Sequence, residues 1–270
     1  MNTASPKIIA EANLKGGVGK STTTVNCAHY AHEFLGKKTC IVDLDAQANS
    51  SRTIAPDWPK GTLVASDLFQ ASLPLDRLPM TSASGIDLVP GDKLLKAVDA
   101  AVSSDNIAAR RALYQTFRTN IRKLMEQRGY DLIIIDTPTT AEQRYYAALV
   151  AADYSVTPAL MDAYSLQGAG DLKQSLANTK AQFGNPRHKH LGILPNLFTA
   201  SSSLHKNSLE KLRQAGIKII PVTLVNRIAV QGAIDAGNPV WKGDRDGRKN
   251  AKASAEWKAA CKAIFDEVFA

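Results

Sequence analysis

The run Lys15-Gly16-Gly17-Val18-Gly19-Lys20-Ser21-Thr22 restricts what this chain can fold into more than any other feature. A β-prone segment, Ile8 to Ala12, precedes it and a helix-compatible segment, Ser21 to Leu35, follows it, which is the strand, loop and helix setting of a phosphate-binding loop. Gly16, Gly17 and Gly19 tolerate positive φ and carry no side chain. The N–H groups of the run, that of Val18 included, can therefore turn inward around an anion at a helix N-terminus. Lys20 adds a point charge suited to β- and γ-phosphates, the Ser21 hydroxyl suits the magnesium that accompanies ATP, and Thr22 can donate to the α-phosphate. The run predicts a nucleoside triphosphate site.

Such a loop belongs in an α/β fold, and the rest of the sequence has the matching rhythm. Short apolar runs at Ile8–Asn13, Thr39–Asp43, Ile86–Pro90, Leu132–Asp136, Tyr154–Pro158, Leu191–Leu194 and Ile217–Pro221 read as mostly parallel strands. Between them, Ala109–Arg128 sets Leu113, Phe117, Ile121 and Leu124 at helical spacing, and Leu166–Phe183 does so less cleanly. The expectation is a doubly wound sheet with helices on both faces, and 270 residues suit a single domain over 1–270. Turn residues dominate Pro56–Gly61 and Trp241–Asn250, which places both on the surface.

In doubly wound sheets ligands bind beyond the carboxyl ends of the strands, and three acids sit at such ends. Asp43 and Asp45 follow the second run and Asp136 closes the fourth, so all three can converge on what the glycine loop holds. A lone strand-end Asp is more often a turn residue satisfying nearby N–H groups, but three at these spacings favour a site.

The loop departs from the ordinary phosphate-binding pattern in having Leu14 where that pattern has Gly, and it carries a second lysine, Lys15, ahead of the usual one. With Val42-Asp43-Leu44-Asp45-Ala46-Gln47 and Ile134-Ile135-Asp136-Thr137-Pro138 following in order, the chain resembles the ParA family of partition ATPases, whose loop is the deviant Walker A type. Relatives of the MinD and nitrogenase-iron-protein kind usually have Gly before the signature lysine, so Leu14 leans toward ParA. Too few residues precede the loop for the N-terminal helix-turn-helix module of some relatives, and the short form of the family is expected.

The resemblance implies roles. Lys15 reaches across a face-to-face homodimer to phosphates held by the other subunit, so that ATP joins the two; a lysine from each side offsets the repulsion between triphosphates. Asp136 holds magnesium through a water, Asp43 supports the ion, and Asp45 orients the attacking water, while Lys15 and Lys20 stabilise the transferred charge. Family members usually have proline at the places of Ala46 and Thr139, changes that remove no charge or donor but alter loop rigidity. For adenine the resemblance points to Asn196 and the Pro221-Val222 segment, with a local turn role for Asn196 equally open. It further implies a nonspecific DNA surface, a ParB-like partner that stimulates hydrolysis, and a cytoplasmic, nucleoid-associated protein that positions plasmid, chromosome or other cargo.

Composition bears on those implications. Net charge is +8, from 33 Lys and Arg against 25 Asp and Glu, which suits a polyanion although it also serves solubility. The basic run Lys242, Arg245, Arg248, Lys249 and Lys252, with Lys206 and Arg227, is the candidate phosphate-backbone surface, and no base-reading helix accompanies it. Cys27, Cys40 and Cys261 are widely spaced and read as buried free thiols; the five histidines have no metal-ligand spacing, so magnesium is the only metal expected. Met1 to Pro6 lacks an apolar core for a signal peptide, and no apolar run approaches the ~18 residues of a spanning helix. The segment Ala253–Phe269 has an apolar face, but Glu256, Asp266 and Glu267 mix with Lys258 and Lys262 opposite it, so a docked core helix is expected instead of a membrane anchor. The alternatives are a MinD-like membrane-positioned ATPase and a metabolic or metal-loading enzyme on the same scaffold.

Overall fold

The computed structural model describes residues 5–74, 76–163 and 165–270, without side chains at 165 and 166. Met1 to Ala4, part of the segment read above as no signal peptide, lie outside the described residues, as does the side chain of Leu166 in the second helical stripe.

Among the described residues seven strands form one sheet, in the order β3-β4-β2-β5-β1-β6-β7. They are β1 (Lys7–Glu11), β2 (Thr39–Asp43), β3 (Met80–Thr81), β4 (Asp87–Val89), β5 (Leu132–Asp136), β6 (Tyr154–Ala159) and β7 (Lys189–Pro195). All neighbours pair in parallel except β3, which runs antiparallel to β4 at one edge. The helices are α1 (Lys20–Leu35), α2 (Asn49–Ile54), α3 (Leu95–Ala100), α4 (Ile107–Arg128), α5 (Gln143–Ala151), α6 (Ser165–Phe183), α7 (Ser203–Gln214), α8 (Ile228–Asp235) and α9 (Ala251–Val268).

Alternation along the central strands sorts their side chains into two cores. Ile8, Ala10, Val42, Ile133 and Ile135 point to the side covered by α4 and α5, where Phe117, Ile121 and Leu124 meet them. Ile9, Ile41, Leu132 and Ile134 point to the side covered by α1 and α9, against Ala28, Ala31, Trp257, Cys261 and Ile264. Because both faces are covered, these strands read as continuous apolar runs. The apolar face of α9 is spent on this second core, as expected of a docked helix.

Two expectations need correction. Ile217–Pro221 is no full strand: only Ile219 bridges Ile193 of β7, and Pro221, lacking an N–H, cannot extend the ladder. Trp241 is not a surface loop residue; it is buried against Tyr30 and Phe34, and its indole N–H donates to Glu33 at 2.9 Å. The edge pair β3 and β4 also adds a two-residue strand that the sequence did not suggest.

Candidate nucleotide-binding site

The glycine loop joins the carboxyl end of β1 to α1 at the centre of the sheet. Its end is fixed by two threonines from neighbouring strands: Thr157 Oγ1 donates to the Ala12 carbonyl at 2.8 Å, and Thr137 Oγ1 donates to that of Glu11. Gly17 and Gly19 have φ of 70° and 91°, so the N–H groups turn as the phosphate cradle requires. A side chain at Gly19 is excluded twice over, since a Cβ there would lie 2.1 Å from Asn196 Nδ2.

Asn196 is thus placed beside the loop. It is buried at the end of β7, donates from Nδ2 to the Val18 carbonyl at 2.8 Å, and accepts from Leu197 N–H at 2.8 Å. That bond spans 178 residues of sequence and braces the loop against the strand. Pro221 is exposed and does not line the adjoining cleft; Asn226, Arg227 and Val230 line it instead.

The cleft holds about 580 Å³ and is bounded by Gly17 to Thr22, Asp45, Thr137 and Thr139 on one side and by α8 on the other. Lys20 is only 6% exposed, and its ammonium approaches the Lys15 carbonyl at 3.4 Å. Burial lowers its pKa, and the carboxylates of Asp136, Asp45 and Glu11 act against that shift.

The acidic residues divide by environment. Asp43 is wholly buried and fully engaged: Oδ1 accepts from Asp45 N–H at 3.0 Å, and Oδ2 accepts from Ser51 N–H at 3.0 Å and Ser51 Oγ at 2.7 Å. Ser51 Oγ in turn accepts from Gly91 N–H at 3.0 Å, and a Cβ on Gly91 would lie 2.4 Å from the Asp45 carbonyl oxygen. Asp43 therefore holds the segment that carries Asp45. Asp45 itself is half-buried at the cleft, with Oδ1 accepting from Gln47 N–H at 2.9 Å. Asp136 is 1% exposed, and the Ser21 and Ser50 hydroxyls lie close to its carboxylate, although neither oxygen makes a hydrogen bond of good geometry. Burial, and then the neighbouring Asp43, push its pKa up to about 7.

These features fit a magnesium-bound triphosphate. The turned N–H groups and Lys20 suit phosphate oxygens, and the buried Asp136 carboxylate, beside the Ser21 and Ser50 hydroxyls but without a well-formed hydrogen bond, suits an ion or its waters. Ser21 and Thr22, in the first turn of α1, line the same cleft.

Lys15 differs from Lys20 in its surroundings. It does not line this cleft; it borders a separate, largely apolar cavity with Leu14, Tyr145 and Leu172, and its ammonium is paired with Asp162. The candidate DNA cations are also unlike one another. Arg227 pairs with Glu256 at 2.6 Å, Lys242 with Glu33 at 2.6 Å, and Arg248 with Asp244 and Asp246 at 2.9 and 2.5 Å. Among the described residues no carboxylate is in ion-pair range of Lys206, Arg245 or Lys249, and all three are exposed.

The three cysteines are free and buried, with Cys27 and Cys261 Sγ 3.8 Å apart between α1 and α9. His29 is bonded to Glu33 one turn on, at 3.0 Å. Among the described residues no His, Cys, Asp and Glu cluster has metal-site geometry, and no helix is long and apolar enough to cross a membrane.

Three contributors escaped the sequence reading. Ser51 and Gly91 are ordinary residues whose role depends on contacts with Asp43 from elsewhere in the chain. Glu11 had a signal, since it stands two residues after Ile9 and so shares the face that α1 covers.

A phosphate-binding loop at the first strand of a parallel sheet, with acids at the ends of two neighbouring strands, defines a P-loop nucleotide-binding protein of the deviant Walker A type. Comparison with known proteins is more specific. A family model described as an AAA domain matches residues 6–189. Protein IncC of Escherichia coli is 32% identical over 265 residues, covering 97% of this chain and 70% of that protein. The chromosome-partitioning ATPase Soj of Thermus thermophilus is 32% identical over 213 residues, covering 79% and 78%. The chain belongs to the ParA family of partition ATPases. Solved structures share the fold at lower identity: an ATP complex of McdA from Cyanothece has a TM-score of 0.80 at 17% identity, covering 97% of each chain. A cobyrinic acid a,c-diamide synthase from Mycobacterium smegmatis, with ADP and magnesium, has a TM-score of 0.77 at 19% identity, covering 97% and 95%. McdA and a biosynthetic enzyme therefore share this architecture, and the fold alone does not separate their functions.

Proposed function

We propose that this protein binds magnesium-ATP in the cleft of Lys20, forms a homodimer on it, coats DNA without sequence preference, and hydrolyses ATP when a ParB-like partner engages it, thereby positioning cargo over the nucleoid. Magnesium-ATP supplies the transferable phosphoryl group and the ion that offsets its charge. The chain supplies the rest: loop N–H groups and Lys20 hold phosphate, Ser21 and Asp136 hold the ion with Asp43 in support, and Asp45 orients water. Asn196, with one amide hydrogen beyond its bond to Val18, is the proposed adenine contact within the cleft.

The observation that carries this reading is Lys15. A loop lysine that borders a different cavity from the one Lys20 lines is set apart from phosphate in its own subunit's cleft, whereas a facing copy would present one. The burial of the apolar face of α9 supports this reading over a membrane-positioned one, because membrane insertion would require that face to leave the core. Sedimentation velocity with and without ATP tests it. The wild-type protein should become a dimer with ATP, while Lys15→Gln should bind ATP and stay monomeric. An ATP dimer of undiminished strength in Lys15→Gln would remove the cross-subunit role.

A further inference from the structure

Glu11 is a buried acid beside Lys20 with no part in the phosphate or ion chemistry assigned so far. It lies directly opposite Asp136 in the β1–β5 register, and Asp136 lies directly opposite Asp43 in the β5–β2 register. Residues in register share a face, so three carboxyl groups form one row across three adjacent strands, under α1. Asp43 has its hydrogen bonds made, but Glu11 does not: it is 1% exposed and neither oxygen has a partner. Thr24 adds a buried, unpartnered hydroxyl, the Ser50 hydroxyl lies close to Asp43 and Asp136, and Lys20 and Thr24 lie one turn apart on the buried face of α1. A carboxyl group buried this way costs several kcal/mol relative to water, and a side chain kept only for packing would be apolar, as Ile9 is two residues earlier.

We propose that Glu11 is a third acidic group of the magnesium site, a positioning residue that acts on the ion through its bound water. The inference rests on the reading of the cleft as a magnesium-ATP site. Magnesium keeps several waters and is seldom caged by protein alone, so a carboxylate one strand away from Asp136 contributes by orienting those waters. The sign of its charge separates this role from a structural one. A carboxylate here attracts the divalent ion and repels the triphosphate, so removing it weakens magnesium-dependent binding while leaving magnesium-free binding unchanged or stronger.

Glu11→Gln preserves size and Glu11→Met preserves length without polarity. Each is compared with the wild type by fluorescence of an N-methylanthraniloyl ATP analogue, first in EDTA and then across a magnesium titration. The expected result is a magnesium midpoint raised by about 10- to 100-fold, with affinity in EDTA equal to or above that of the wild type. The nucleotide-free variants should melt no lower than the wild type. Wild-type binding that ignores magnesium would remove the site reading together with this inference. A magnesium-responsive wild type whose variants keep its midpoint would overturn Glu11 alone. Parallel losses in EDTA and magnesium would assign Glu11 a structural role and overturn the inference. Failure of both variants to fold would do the same, because removing a buried carboxyl group with no hydrogen-bond partner should help the empty protein fold.

Discussion

At the scale of single residues, the separation of Asp43 from Asp45 has a direct consequence. Asp43 is committed to Ser51 and the backbone of Asp45, whereas the Asp45 carboxylate reaches the cleft. Asp45→Ala should therefore leave ATP binding and dimerisation in place and abolish turnover, checked by calorimetry and a phosphate-release assay; hydrolysis at the wild-type rate would exclude the water-orienting role. Lys20 and the glycines were legible in the sequence because their chemistry is local to eight residues. The parts Asn196 and Glu11 play were not, because each depends on a partner brought in by another strand. The same is true of Ser155, whose hydroxyl lies 2.9 Å from His188 Nε2 and 3.1 Å from His190 Nδ1. Burial pushes both imidazoles down to about 4, so they stay neutral in the fold while an unfolded chain protonates them near its ordinary ~6.5. Between those values the unfolded state binds more protons, so this contribution to stability is complete above about pH 6.5 and is lost as pH falls toward 4. Urea midpoints at pH 7.5 and 5 should show a smaller acid loss in a His188→Gln, His190→Gln double variant than in the wild type. Equal losses would mean that the pair does not titrate this way.

At the scale of elements, the central strands were readable because burial on both faces leaves runs such as Leu132-Ile133-Ile134-Ile135 with no alternation to misread. The edges were not. Met80–Thr81 is too short to carry a pattern, and Ile217–Pro221 looks like a strand in composition but gains only one bridge. Nor could the sequence show how the acidic ends are held in place. Arg144 at the start of α5 donates from Nε to Asp99 of α3 at 2.6 Å and from a terminal nitrogen to the Leu44 carbonyl at 2.7 Å, one residue before Asp45. Both side chains are nearly inaccessible, at 6% and 10%. Replacing one member of such a pair strands the other's charge. Arg144→Met should then cost about 3 kcal/mol in urea unfolding, with much of it restored by adding Asp99→Leu. A loss within ~0.5 kcal/mol of wild type would show that the pair does not hold these elements together.

At the scale of the whole molecule, the relevant quantity is where the excess positive charge remains after internal pairing. In the sequence the basic run does not reveal which members are paired across the fold, since partners such as Glu33 and Glu256 lie far along the chain or on another element. In the fold, Arg245 and Lys249 keep exposed charge in the loop between α8 and α9, whereas Arg248 beside them is held by two aspartates. A cation already paired releases little additional counterion when it meets a phosphate, so the two kinds should differ in their effect on DNA binding. If an ATP dimer presents this loop twice, affinity should fall steeply as salt rises, should hardly depend on base sequence, and should require ATP. Replacing Arg245 and Lys249 with Gln removes four such charges per dimer and should flatten the slope of log K against log salt by up to roughly 3–4 units. Arg248→Gln should change it far less. Fluorescence anisotropy on two unrelated duplexes across a salt series measures both, with ATP binding followed in parallel. Equal effects from the two replacements would show that internal pairing does not govern this surface, and a wild-type slope in the double variant would place the DNA contacts elsewhere on the molecule.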